Sequence, residues 1–489
     1  MTIQRNSPSS YIVTAVEDLI GLATIPNYND DGTQAPALFN NRRQVTGLTV
    51  AGTATNPIVY VTSSDIRIGG GTGTGQKDAG LDTNSGVITR MTQVEPNTWE
   101  VVDIVRGLPR SEENHSTNGL EFVTINGDEY LIVASGGFTN AGAPSSNFAL
   151  ITEYALAAAV LSVNLTQINQ LPILNDNGRS YIYDLPTLDD PTRPNVNGID
   201  DPDTPGYDGI DINDPWGGND GLNQAKLVLG GPVQIFSPGY RNTYDLVIPQ
   251  NGALYVTDNG ANLGWGGFPE NEGTANVTNE YNSSEPGSQV ASGGELVDNK
   301  DHLELVTTDI QNYSSGSFYA GHPNPIRANP FGAGLYTDNR GLINGTLVIT
   351  GDPIWRTQLY DPDGSTPGST TDPNIGLPAD WPPVPLSMAN PVEGDWRGPS
   401  IPNPDGPDDN PIVIWGTNTN GITEYTASNF GEAMKGNLLA THSSGNLRRV
   451  QLNADGTSQQ LTQNFLSTGG GFLLGITAND DAQVFPGTI

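Results

Sequence analysis

Apolar and polar positions alternate with a period of two along most of the chain, the pattern of strands with one face toward a core. The alternation predicts strands at Val45–Val50, Ile58–Thr62, Gly86–Met91, Trp99–Ile104, Leu120–Thr124, Tyr130–Ala134, Ala158–Asn164 and Val233–Ser237. It continues at Asp245–Ile248, Ala253–Thr257, Leu342–Thr350, Ile412–Trp415, Ile422–Thr426, Asn437–Thr441, Leu447–Asn453 and Gly471–Thr477. Helical signals are scarce; "EYALAAAVLSVNL" (Glu153 to Leu165) predicts one short helical turn leading into a strand.

A theme recurs in these runs: an apolar run, a polar turn often carrying Asn-Gly or Asp-Gly, then a second apolar run. It is seen in "GLTVAGTATNPIVYVTSSD", "GLEFVTINGDEYLIVASGG", "YDLVIPQNGALYVTDNG" and "GNLLATHSSGNLRRVQLNADG". Asn-Gly between alternating runs marks a hairpin. Recurring four-stranded units built on such a hairpin predict an all-β propeller, with a β-sandwich or a β-helix as the alternatives. Two stretches break the theme, residues 175–222 and 361–409, both rich in Asp, Pro and Gly. Such composition buries too little surface to make a core, so both are expected as long acidic loops, pinned by Trp216, Trp381 and Trp396. The domain expectation is an N-terminal segment 1–44 that completes a blade and a single propeller domain over 45–489. "NDDAQVFPGTI" stops where a further strand would begin, so either an N-terminal strand closes the ring or the chain is a fragment of something longer.

Composition narrows the function classes. The chain has 489 residues with 60 Gly, 37 Pro and no Cys. Without cysteine there are no disulfides, thiolate metal sites or cysteine nucleophiles. The balance of 20 basic against 54 acidic residues gives −34, which repels phosphate backbones and anionic membranes and argues against nucleic-acid binding. The same charge attracts hard cations, calcium above all, or serves solubility in a salty medium. No stretch approaches a membrane span, and "MTIQRNSPSS" holds no apolar signal-peptide core. Abundant Asn, Thr, Ser, Gly and Asp with few Lys suggests a bacterial protein of the cell surface or exterior.

Candidate chemistry is sparse. Four histidines, His115, His302, His322 and His442, stand apart with no zinc spacing. His115 sits where a turn-rich segment gives way to the strand at Gly119-Leu120. An imidazole there, titrating near neutrality, can take a proton from a hydroxyl; a solvated or turn-capping histidine is the alternative. Arg241 and Asn242 stand before the hairpin "YDLVIPQNGALYVTD", and its second strand runs out into the Gly-rich "DNGANLGWGG".

The segments "LPRSEENHSTNGLEF…GDEYLIVASGG", "FSPGYRNTYDLVIPQNGALYVTDNGAN" and "MKGNLLATHSSGNLRRVQL" resemble successive blades of the glucose/sorbosone dehydrogenase family. "DTNSGVITRM", "RGLPRSEENH" and "GHPNPIRANP" resemble a subgroup found within very large bacterial surface proteins. The resemblance implies a six-bladed β-propeller. Enzymes of that family oxidise sugars with pyrroloquinoline quinone (PQQ) and calcium. By that likeness His115 is the general base, Arg241 and Asn242 contact the quinone, and the carbonyls of Gly260 and Ala261 hold the calcium. The chain departs from the family at three places. Asn114 replaces an Asp beside the histidine, Ser443 or Ser444 stands where a late blade carries Lys, and "GGGFLLGIT" replaces an Arg-x-Arg pair. Each lost charge-assisted contact costs about 1.5–3 kcal/mol. The expectation is therefore a propeller with degraded cofactor anchors that binds carbohydrate or serves a surface assembly, the alternative being an active PQQ- and calcium-dependent sugar dehydrogenase. His322 and Arg327 are candidates to compensate for the lost anchors.

Overall fold

The structure is a computed structural model. It describes residues 2–262, 300–322, 339–343, 346–350 and 411–489, apart from 8–9, 17–19, 30–32, 54, 70–78, 97, 141–147, 149–155, 186–224, 226–227, 229, 319, 321 and 484. Trp216, Trp381, Trp396, Arg327 and the stretch 361–409 lie outside the described residues.

Strands β1 (Thr2–Ser7) and β2 (Ser10–Ala15) pair with each other. Sheet I follows with β3 (Arg43–Gly52), β4 (Pro57–Asp65), β5 (Gly86–Glu95) and β6 (Thr98–Leu108), antiparallel in sequence order. Sheet II begins with β7 (Thr117–Ile125), β8 (Asp128–Ser135) and β9 (Ala159–Asn164). A single helical turn, α1 (Leu165–Ile168), comes after β9 and is capped by the Asn164 side chain, which accepts from Gln167 N. The helical turn expected ahead of this strand therefore lies behind it; residues 156–158 form a turn, and 153–155 lie outside the described residues.

The short strands β10 (Leu174–Asp176) and β11 (Arg179–Asp184) return to sheet I, where β11 pairs parallel to β6. The first ten residues of the acidic stretch 175–222 are thus strand and turn rather than loop. Arg106 of β6 pins it, pairing with Asp184 at 2.6 Å and Asp176 at 3.0 Å and lying over the Tyr181 ring. Strand β12 (Val233–Pro238) completes sheet II outside β9.

Sheet III holds β13 (Thr243–Val247), β14 (Leu254–Asp258) and β15 (Lys300–Thr307). The β13–β14 turn is the expected hairpin: Gly252 N donates to Pro249 O at 2.9 Å, and Gly252 takes a φ of 83°. Strands β16 (Asn339–Ile343) and β17 (Thr346–Thr350) form a separate hairpin, where one strand was expected over Leu342–Thr350. Strand β18 (Val413–Gly416) closes sheet III, and sheet IV is β19 (Thr419–Tyr425), β20 (Asn437–His442), β21 (Asn446–Leu452) and β22 (Gln459–Ser467).

Alternation along each central strand decides how the sheets stack. In β8, Leu131 and Val133 join a core with Tyr60, Ile88 and Val102 of sheet I, while Ile132 and Ala134 join Leu246, Leu254 and Val256 of sheet III. In β14, Tyr255 faces the other way, into a core with Ile422, Leu438 and Val450 of sheet IV. Sheets buried on both faces read as unbroken apolar runs such as "LIVA", and each fully buried Leu, Ile or Val contributes about 1.5–3 kcal/mol. The first strands β3, β7 and β13 line one cavity of about 450 Å³ together with Leu474–Thr477. Four-stranded antiparallel sheets stacked face to face, with their first strands around a common cavity, form the blades of a β-propeller. Four blades fall within the described residues; the expected count of six reaches beyond them.

The joints between blades repeat. Thr117-Asn118-Gly119 opens β7, and Thr419-Asn420-Gly421 opens β19. Asn118 Nδ2 donates to Thr243 O of the next blade at 2.7 Å, and Asn420 Nδ2 donates to Leu473 O at 2.9 Å. Gly119 is where Asp245 packs, and Gly421 is where Gly475 packs. Leu473–Gly475 therefore stands against blade IV as β13 stands against blade II. Gly471–Thr477 was expected as a strand, but it has no ladder partner among the described residues; Asn420 and the packing of Ile476 and Ala478 on Tyr425 and Leu439 hold it.

Candidate functional site

The starts of β7 and β13 and the ends of β8 and β14 converge at one end of blades II and III. His115 precedes β7 by two residues and is 3% exposed. Its Nδ1 lies 2.8 Å from Gly137 O. A carbonyl only accepts, so Nδ1 carries the proton and Nε2 keeps the lone pair. The His115 ring packs against Phe148, with centroids 4.9 Å apart. Burial, and then the positive charge of Arg241, holds the imidazole well below the ordinary histidine value. His115 is thus a buried, neutral base, where the sequence suggested one titrating near neutrality. Its neighbour Asn114 is exposed.

Arg241 and Asn242 enter from the other blade. Gly137 N donates to Arg241 O at 2.9 Å, so the carbonyl that accepts from His115 belongs to the residue that holds Arg241. Arg241 Nε donates to Asn140 Oδ1 at 3.2 Å, and its Nη1 lies 3.4 Å from Asn259 O. Asn242 Nδ2 donates to Asn259 Oδ1 at 3.0 Å, and Asn242 Oδ1 accepts from Asn118 Nδ2 at 3.3 Å. Asn140 also spans the site, exchanging two hydrogen bonds with the backbone of Asn262 at 2.8 and 2.9 Å. His322 is buried nearby, its Nε2 3.3 Å from Asn140 O.

Gly260 and Ala261 follow β14 at the same end and are buried. Gly260 N donates to Asp301 Oδ1 at 3.2 Å, and a Cβ at Gly260 would overlap the Lys300 carbonyl. Asp301 also accepts from Thr419 N of blade IV. No group of three His, Asp or Glu side chains that could hold a metal occurs among the described residues. The hard oxygens beside this turn are the backbone carbonyls of Gly260 and Ala261 and the buried carboxylates of Asp258 and Asp301, and both carboxylates accept from backbone N–H groups.

His115, Arg241, Asn242, Gly260 and Ala261 therefore gather at one end of blades II and III. Ser444 lies farther along that end, in the β20–β21 turn, bonded to His442 Nδ1 at 2.6 Å. The sequence reading missed Asn118, Asn140 and Asn259, each the amide that joins two elements. The one available signal was the repeated Thr-Asn-Gly. Arg110 is a second buried cation bearing on His115, and its guanidinium is spent on the carbonyls of Asp65, Arg67 and Glu113, at 3.2, 2.5 and 2.7 Å.

The fold and site define a propeller-type β-protein with a buried polar cluster at one end of its inner strands. No family model and no curated protein matches the sequence. Among solved structures the chain is similar to a glucose dehydrogenase, with 13% identity, a TM-score of 0.33, and 86% of this chain and 70% of that one covered. It is similar to a second glucose dehydrogenase at 13% identity and a TM-score of 0.36, over 92% of this chain and 84% of that one. A third is the PQQ-bound form of aldose sugar dehydrogenase from Streptomyces coelicolor, at 13% identity and a TM-score of 0.31, over 86% of this chain and 65% of that one. At these values the likeness transfers no residue roles.

Proposed function

We propose that the chain is an extracellular or cell-surface propeller module that binds carbohydrate, with cofactor anchors reduced relative to quinoprotein sugar dehydrogenases. The observation that carries this reading is the set of amides Asn118, Asn140, Asn242 and Asn259 around the single guanidinium of Arg241. Bonded to one another and to backbone, these amides hold the guanidinium in place, and a guanidinium offers sugar hydroxyls a planar fork of donors. A three-carboxylate quinone needs several cations. Arg110 is committed to backbone carbonyls, and the positions of the family's late Lys and Arg-x-Arg pair hold serines and an apolar run. The strong negative charge suits an exported protein, and larger surface assemblies are the partners proposed beside glycans.

The test is calorimetric titration with a panel of neutral mono- and oligosaccharides. Arg241→Ala is expected to weaken binding roughly 10- to 100-fold, the worth of one charge-assisted hydrogen bond. If the panel does not bind, the carbohydrate reading falls.

One observation favours a second reading, an active PQQ- and calcium-dependent sugar dehydrogenase. His115 is neutral, with Nε2 available to take a proton from a sugar hydroxyl. The quinone would supply the hydride acceptor. Stoichiometric uptake of quinone with Ca²⁺, and dye-linked turnover lost in His115→Ala, would establish this reading over the first.

Calcium is proposed at the carbonyls of Gly260 and Ala261. A cation that binds only the ordered turn stabilises the fold by mass action. Thermal unfolding of EDTA-treated protein is expected to shift upward in millimolar Ca²⁺ and to stay unchanged in Mg²⁺. Superimposed curves would remove calcium from the site.

A further inference from the structure

Asp258, the last residue of β14, meets the chain where it turns into β13. Its Oδ2 accepts from Arg241 N at 3.1 Å, and its Oδ1 accepts from Asn242 N at 2.7 Å. Asn259 N returns the bond to Asn242 O at 3.1 Å. Asp258 is wholly buried. Its partner across the β14–β15 ladder is His302, also buried, whose Nδ1 lies 3.1 Å from Glu304 Oε1. Beyond the hairpin's own ladder, one carboxylate thus fixes two successive N–H groups, and a buried polar pair stands beside it.

We propose that Asp258, backed by His302 and Glu304, is the positioning residue of this site: it sets the direction in which Arg241 leaves the backbone and so keeps the guanidinium against Asn140 and beside His115. Two successive N–H groups bound to one carboxylate fix the orientation of the peptide plane between them, and with it the path of the side chain. An asparagine keeps one acceptor oxygen and turns an NH₂ toward the other N–H, so the bend relaxes and the guanidinium moves. The proposal rests on His115 and Arg241 forming the site, but it does not depend on which ligand they take.

The readout is the titration of His115, which a merely structural residue would not move. The charged and titratable groups that bear on this imidazole are Arg241, Arg110 and His322, with Glu113 beside both arginines. The chain holds only four histidines, so selectively labelled protein gives four imidazole signals, assigned by single His→Gln replacements. In the unaltered protein the His115 signal stays neutral well below the ordinary imidazole range. In Asp258→Asn it is expected to titrate at higher pH, because Arg241 is the largest influence on it after burial. Asp301→Asn is the control: it removes a carboxylate that holds Gly260 and Thr419 and should leave the His115 titration in place.

A folded Asp258→Asn protein with an unmoved His115, or an equal shift in Asp301→Asn, would overturn the proposal. If Asp258→Asn does not fold, His302→Gln decides. It leaves both acceptor oxygens in place and removes only the group behind them, and it is expected to shift His115 in the same direction by less. No shift there overturns the proposal as well. Because the titration uses no ligand, a shifted His115 in a protein that binds no sugar would sink the carbohydrate reading and leave the positioning role standing.

Discussion

Gly47→Ala is expected to destabilise the protein by about 3 kcal/mol, the upper range for a methyl forced into a packed site. Gly47 lies in β3 opposite the start of β7, and a Cβ there would overlap the Asn118 carbonyl and sit 2.7 Å from Thr62 Oγ1. The overlap is with backbone, so no rotamer change relieves it. Moving β3 away would strain two ties between blades I and II, Thr46 Oγ1 to Thr117 O and Thr62 Oγ1 to Asn118 O, both 2.7 Å. It would also open the core shared by those blades. Gly127→Ala is the comparison. Gly127 has a φ of 95° with nothing within 4 Å of its added Cβ, so its cost is that of backbone strain alone, about 1 kcal/mol. Urea unfolding of the two variants separates the effects. Equal midpoints would mean that blades I and II are not joined at Gly47.

Stability is expected to fall as pH rises from about 6 to about 9, by on the order of 2–4 kcal/mol. Glu121 of β7 and Asp245 of β13 meet at the joint between blades II and III. Burial, then the charge of Asp245, pushes Glu121 up to about 8. Burial pushes Asp245 up to about 7 against the N–H groups of Ile422 and Leu246, which favour its ionised form. Both folded values exceed the ordinary 4.5 and 3.8, so the folded state holds protons that the unfolded chain has released. The resulting stabilisation is complete below about pH 4 and is lost as pH climbs through 7 and 8. Glu121→Gln removes the steeper half. Its melting temperature should exceed that of the unaltered protein at pH 9 and change less with pH. A wild-type melting temperature that rises over the same interval would contradict the assignment.

The strands most legible in the sequence were those with apolar side chains on a buried face, β4, β8 and β14 among them. Strand β15 escaped notice because "KDHLELVT" buries Asp301, His302 and Glu304, polar residues that hide a period of two. Strand β22 escaped for the opposite reason: almost every residue of "QQLTQNFLS" is exposed, so neither face shows a pattern. Strands β10 and β11 lie in a segment read as loop from its composition, yet Arg106 supplies the charge that lets those aspartates pair. For the site, His115, Arg241, Asn242, Gly260 and Ala261 could be named in advance as candidates, and the structure brings them to one end of blades II and III. The links between them could not, because Asn118 and Asn140 become partners of the site only when segments more than 100 residues apart close on each other. Asp258 was visible in "VTDNG", but sequence spacing does not show that its carboxylate faces backward onto Arg241 and Asn242.

The joints between blades are unequal at their two ends. At the site end they are buried: Asn118 to Thr243 at 2.7 Å, and Thr257 to Asn420 at 2.8 Å. At the far end they are exposed: Gln250 to Glu424 at 2.9 Å, and Asn126 to Gln311 at 2.9 Å. Water competes for the second set and not for the first. The blades are therefore bound like pages along one spine, and the opposite edge is the one whose ties water can replace. A ligand in the site would sit at that spine, where the ties between blades are shielded from water.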